Sequence, residues 1–89
     1  MIIKLKTDRD VEYDLLQVDQ SSRNLIFMLV NNSRFSQVAV DLDGVSSFLV
    51  DRETDVGEKT TETYDGFTQL VSLTMYPDAY IAVLERGGD

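Results

Sequence analysis

Residues 64–86, YDGFTQLVSLTMYPDAYIAVLER, decide the fold. Asp65-Gly66 is a turn signal, and Phe67 to Tyr76 follows it as a β-run. Pro77-Asp78 then makes a corner: proline pre-sets φ for the second position of a tight turn, and the short Asp78 side chain can hydrogen-bond nearby backbone. A second β-run, Tyr80 to Arg86, completes an antiparallel hairpin. In the first run Phe67, Val71, Leu73 and Met75 are expected on an apolar face, with Thr68, Ser72, Thr74 and Tyr76 on a wet one. In the second run Ile81 and Val83 share one face and Tyr80, Ala82 and Leu84 the other, so that strand is expected to be buried on both sides.

Upstream, the pattern is again β. Ile3 and Leu5 alternate with Lys4 and Lys6, Thr7 to Asp10 reads as a hairpin turn, and Val11, Tyr13 and Leu15 continue the inner face. At Leu15-Leu16 the alternation slips, which predicts a β-bulge or bend, with Leu16 and Val18 carrying the apolar pattern onward. Asp19 to Asn24 is the next turn. Leu25 to Val30 is an unbroken apolar run and the best candidate for a central strand covered on both faces.

Between Ser33 and Gly44 two readings compete. Phe35, Val38, Ala39 and Leu42 have helical spacing, with Ser33 placed to cap the start and Gly44 to stop the end; the rival is a strand presenting Val38, Val40 and Leu42. The helix is preferred because both end signals agree with the period. Val45 to Arg52 is another β-run, with Phe48 and Val50 inward. Asp51 to Thr63 reads as a long acidic hairpin loop whose returning limb, from Glu58 to Tyr64, forms an edge strand. The expected architecture is therefore α+β: a mainly antiparallel sheet of about six strands with one short helix, the alternative being an all-β small barrel or sandwich. Residues 1–86 form one domain and 87–89 a disordered tail.

Composition narrows the chemistry. In 89 residues there is no histidine and no cysteine, which removes the usual acid–base side chain near neutral pH and the thiolate metal ligand. The serines at 21, 22, 46 and 47 have no histidine base, and Lys4, Lys6 and Lys59 sit in hydrated, charged contexts that do not lower a lysine pKa. Asp51, Glu53, Asp55 and Glu62 approximate a calcium loop, but Val56 stands where the turn glycine belongs and Gly57 comes one place late. No catalytic, metal-binding or cofactor-binding residues are expected, and an enzyme is not. The amino terminus lacks the basic-then-apolar order of an export signal, and no apolar stretch is long enough to span a bilayer.

The net charge of −8 is uneven along the chain. Five bases balance five acids up to Val40, whereas from Asp41 onward eleven acids face three bases. Such a field disfavours nucleic acid and anionic membranes and favours a protein partner with a basic surface. The candidate partner-binding residues are Asp41, Asp43, Asp51, Glu53, Asp55, Glu58 and Glu62, together with Tyr76 and Tyr80 flanking the Pro77 corner, since tyrosine gives contact area at low entropy cost.

The arrangement resembles small proteins from the structural (tail and neck) region of phages and prophages of Gram-positive bacteria. The resemblance runs through Met1 to Lys6, Phe35 to Leu42, Phe48 to Asp51, Tyr64 to Leu70 and Ile81 to Arg86; the polar Asp51 to Thr63 stretch departs from it. It implies a non-catalytic structural or assembly component in the host bacterial cytoplasm or the virion, working by protein–protein contact that includes homo-oligomers. The acidic second half supports an alternative, a phage-encoded inhibitor of a host defence protein that mimics nucleic acid.

Overall fold

Asp65 and Gln69 are separated by three residues yet end and begin strands at opposite edges of one sheet. In the computed structural model, which describes residues 1–87, the elements run β1 (Ile2–Thr7), β2 (Glu12–Gln20), β3 (Asn24–Val30), α1 (Phe35–Leu42), β4 (Ser47–Glu53), β5 (Lys59–Asp65), β6 (Gln69–Met75) and β7 (Ala79–Glu85). The strands form an antiparallel sheet in the order β5-β4-β1-β2-β3-β7-β6. Laid flat, seven strands at about 4.8 Å spacing would hold the edges about 29 Å apart. Four Cα steps from Asp65 to Gln69 reach at most about 15 Å. The sheet must therefore curl until its edges approach.

The rings of Phe27 and Phe48 show the same curl from inside. They belong to β3 and β4, three strand intervals apart, and their centroids lie 5.1 Å from each other at an interplanar angle of 68°. The bend occurs in β2. Its first residues pair with β1 (Leu5 opposite Tyr13), its later ones pair with β3, and the register shifts between Leu15 and Gln17. The bulge expected at Leu15-Leu16 is present, but its effect on the side chains differs from expectation. Leu15 and Val18 turn to the core while Leu16, the extra residue, is half-exposed.

The core is the concave side of the curl. Leu5, Leu25, Phe27, Leu29, Val38, Leu42, Val45, Phe48, Val50, Tyr80, Ala82 and Leu84 are fully buried there. Burying a leucine or phenylalanine contributes on the order of 1.5–3 kcal/mol, so this cluster supplies the main stabilising term of a small domain.

The 33–44 segment is the helix, spanning Phe35–Leu42. Ser33 does not cap it. That residue takes a left-handed turn (φ +65°), Arg34 occupies the cap position, and Asn32 Oδ1 accepts the Arg34 N–H at 3.0 Å. Gly44 ends the segment left-handed, as expected, at φ +75°. The helix lies beside β6 in the gap left by the curl: Phe35 packs edge-on against Tyr80 with centroids 5.2 Å apart, and beyond its last turn Asp43 Oδ1 accepts the Leu70 N–H at 3.1 Å.

Several other expectations are corrected. There are seven strands where about six were expected, because the acidic segment is mostly hairpin: only Thr54 to Glu58 form its turn, and Glu58 N–H is held by Thr54 Oγ1. β2 stands at the middle of the sheet, and β3, expected to be central and doubly covered, is fully buried on one face and half-exposed on the other. In β6 a register shift at Val71 breaks the alternation, so Leu70 and Leu73 pack on the core whereas Val71 and Met75 are exposed. β7 likewise buries Tyr80, Ala82 and Leu84 fully but leaves Ile81 and Val83 half-exposed. Gly87, expected in a loose tail, donates its N–H to Gly66 O at 3.1 Å; residues 88 and 89 lie outside the described ones.

Candidate functional site

The nine residues expected to meet a partner do not converge. Three of them hold the fold together. Asp41, at the end of α1, is buried and accepts hydrogen bonds from the Tyr13 hydroxyl at 2.5 Å and from Gln37 Nε2 at 3.2 Å. Burial pushes the Tyr13 hydroxyl up to about 12, the Asp41 carboxylate adds to the rise, and Arg34 opposes it. Asp43 bonds the free edge of β6 through Leu70, and its carbonyl accepts Arg9 NH2 at 2.7 Å. Tyr80 is fully buried with its hydroxyl donating to Asn31 Oδ1 at 2.9 Å, so it offers a partner nothing. Its companion Tyr76 is half-exposed as expected.

The other five lie on the β4–β5 hairpin and are split between its faces. Val50 pairs with Glu62 and Asp51 with Thr61, so Glu62 points to the concave side while Asp51 and Glu53 point to the convex one. That alternation separates the carboxylates a calcium loop would need to bring together. Among the described residues no three acids are placed to hold a metal ion.

On the convex side the acids meet cations contributed by β1, by β5 and by the amino terminus. Lys4 stands opposite Asp51 on one flank and Asp14 on the other, reaching Asp14 at 2.9 Å, and this hydrogen bond raises the lysine pKa. Lys6 reaches Asp10 at 3.3 Å, Lys59 stands opposite Glu53, and Asp55 accepts the Met1 amine at 3.0 Å. On the concave side Glu62 accepts Arg52 Nε and the Tyr64 hydroxyl, each at 3.1 Å; the bond to Glu62 raises the Arg52 pKa, and burial followed by Glu62 raises that of Tyr64. Charge that looks segregated along the sequence is thus interleaved in space, since β1 comes from the balanced half and pairs with β4 from the acidic half.

The convex face of the other half of the sheet is different. There Ile26, Met28 and Val30 of β3 adjoin Ile81 and Val83 of β7 through the registered pairs Met28 with Ile81 and Ile26 with Val83. Ser72 and Thr74 of β6 extend the row on one side, and Gln17 of β2 lies opposite Met28 on the other. Leu16, turned out by the bulge, joins Met28, Ile81, Tyr76, Pro77 and Ala79 in lining a shallow groove of about 430 Å³. The unbroken apolar runs of β3 and β7 were the sequence signal for this surface. Burial on both faces, the expectation from those runs, requires a second layer, which the described residues do not supply on the convex side.

No helix among the described residues is long and apolar enough to cross a membrane. Comparison of the chain with protein-family models, curated proteins and solved structures found no match.

Proposed function

We propose that this chain is a non-catalytic protein that acts by protein–protein contact, as a small structural or assembly component of a phage or prophage. The observation that carries the contact reading is the convex face of β3 and β7, where five partly buried aliphatic or thioether side chains from two paired strands adjoin, with Asp19 opposite Ile26 and Glu85 beyond Val83 as the charges at its margin. Contiguous apolar surface on a small domain is costly in water and marks an interaction site more often than scattered apolar residues do. The absence of histidine and cysteine from the sequence agrees with a role that needs no proton transfer or thiolate. The phage assignment rests on the sequence-pattern resemblance over Met1 to Lys6, Phe35 to Leu42, Phe48 to Asp51, Tyr64 to Leu70 and Ile81 to Arg86.

Affinity capture from the host at low and high salt, comparing the natural chain with a Met28→Lys variant, tests this reading. Contact through the apolar face predicts capture that survives high salt and is lost in the variant. Capture that disappears in high salt, persists in Met28→Lys and is lost on neutralising Asp51, Glu53, Asp55 and Glu58 would instead identify an acidic mimic of nucleic acid.

A further inference from the structure

The two free edges of the sheet are not equivalent. The β6 edge is closed off: Asp43 Oδ1 accepts the Leu70 N–H, Thr68 O accepts the Gly44 N–H, and the strand is bulged at Val71. β5 instead runs in unbroken register with β4 over its seven residues and contains no proline. Its backbone phase is fixed at both ends, where Glu58 O accepts the Thr54 N–H at 2.9 Å and Ser46 O accepts the Gly66 N–H at 3.3 Å. Antiparallel pairs alternate between exchanging both bonds and neither, so Thr60, Glu62 and Tyr64 bond β4 while Lys59, Thr61, Thr63 and Asp65 turn N–H and C=O away from it. Apart from Asp65 O, which accepts Arg86 NH1 at 3.4 Å, these outward backbone groups have no protein partner among the described residues. We infer that β5 is a pairing edge whose occupant is the β5 strand of a second copy of this chain, antiparallel across a two-fold axis.

The side chains of the strand select that occupant. The residues with outward backbone groups share the convex face, where β5 reads Lys59, Thr61, Thr63, Asp65: a cation at one end, a carboxylate at the other and β-favouring threonines between. Reversed, this row is its own complement, which is the condition for an isologous contact. With the two-fold axis at Glu62, Lys59 stands opposite the partner's Asp65 and Thr61 opposite the partner's Thr63, each pair exchanging two backbone hydrogen bonds. Neither Lys59 nor Asp65 has an ion-pair partner among the described residues, so the pairing uses charges that the single chain leaves free. Shifting the register by one repeat removes the match, since Lys59 then faces Thr63 or passes beyond the partner's β5. On the concave side Glu62 faces its own copy, and Arg52 Nε, already bonded to Glu62 at 3.1 Å, sets a guanidinium beside each carboxylate. The net charge of −8 acts over longer distances and is screened at physiological salt, where the Debye length is about 8 Å.

Sedimentation equilibrium in about 0.15 M salt, from micromolar to submillimolar concentration, with amide hydrogen exchange at both ends of that range, tests the inference. The expected result is a monomer–dimer equilibrium in which the Thr61 and Thr63 amides exchange freely in the dilute chain and become protected in the concentrated one. Thr61→Pro removes an outward N–H while leaving the β4 ladder intact, and it should weaken association by roughly tenfold or more because the dimer loses that bond twice. Lys59→Asp and Asp65→Lys should each weaken association, and the two together should recover it, an outcome that loss of edge structure would not give. Unchanged far-ultraviolet circular dichroism and melting of the dilute variants show that they fold. This contact goes beyond the one at the β3–β7 face and is separate from it, so Met28→Lys should leave the dimer intact, and failure at β5 would leave the contact reading of that face standing. A chain that stays monomeric, a dimer whose Thr61 and Thr63 amides exchange freely, a double exchange no better than its single members, or a dimer lost in Met28→Lys but kept in Thr61→Pro overturns the inference.

Discussion

The Arg86 guanidinium lies 4.2 Å from the centroid of the Phe67 ring, and that pair closes the seam of the curled sheet. Phe67 sits in the three-residue link between the two edge strands and is almost fully buried. Arg86 leaves the end of β7, stacks on it from the solvent side, and donates to Ser22 O at 2.9 Å and Asp65 O at 3.4 Å. One side chain thereby joins the β2–β3 turn, the end of β5 and the link to β6.

Replacing Arg86 by alanine should lower stability by about 1–3 kcal/mol, combining an exposed cation–π contact with hydrogen bonds from a charged donor. Arg86→Lys should recover only part of this, since an ammonium cannot stack and fork as a planar guanidinium does. Urea unfolding of the three proteins measures the differences.

The Tyr13–Asp41 pair predicts a stability that depends on alkaline pH. The Tyr13 hydroxyl titrates near 12 in the folded chain against an ordinary value of 10.0, so the neutral phenol is favoured by folding. Its contribution is complete below pH 10 and declines as pH rises toward 12, because the unfolded chain releases the proton first. Thermal melts from pH 8 to pH 12 should show a steeper fall for the natural chain than for Tyr13→Phe, whose residue 13 cannot titrate. Equal slopes would show that the pair does not govern this range.

The sequence made the strands legible wherever burial on one face imposed alternation, as at Leu5, Tyr13, Phe48 and Val50. It also revealed the bulge in β2, because the break in alternation is itself the signal. Less legible was whatever depends on which strands become neighbours. Lys4 and Asp51 are 47 positions apart, and only the pairing of β1 with β4 turns an acidic half-chain into an alternating charge ladder. Asp41 and Tyr80 are candidate contact residues in the sequence, and what binds each of them into the fold, Tyr13 for Asp41 and Asn31 for Tyr80, is remote in the chain and becomes visible only in the fold. The convex apolar face shows in the sequence as two apolar runs, but its exposure does not, since a run says that both faces are apolar and not that both are covered.

Asp43 offers a test of how the sheet protects its β6 edge. Asp43→Ala leaves the Leu70 N–H without its acceptor and uncovers an edge strand that carries no charge of its own. The expected cost is about 1–2 kcal/mol, accompanied by a greater tendency to aggregate on heating. Asp43→Asn keeps an acceptor oxygen and should behave close to the natural chain. Light scattering during a thermal ramp separates the two outcomes; equal scattering from Ala and Asn variants would remove the edge-protecting role.

Gly57 and Gly66 supply a matched comparison within one molecule. Both are left-handed, at φ +85° and φ +86°, so replacing either by alanine incurs a similar backbone penalty of about 1–2 kcal/mol. Their surroundings differ. A Cβ at Gly57 meets nothing within 4 Å, whereas one at Gly66 comes to 3.2 Å from Arg86 NH1 and must displace the guanidinium at least slightly from its place over Phe67. Gly66→Ala should therefore be the more destabilising, and the excess over Gly57→Ala should disappear when Arg86 is already alanine. A double-mutant cycle by urea unfolding measures that coupling, and independence of Gly66→Ala and Arg86→Ala would mean that the seam does not depend on where the guanidinium sits.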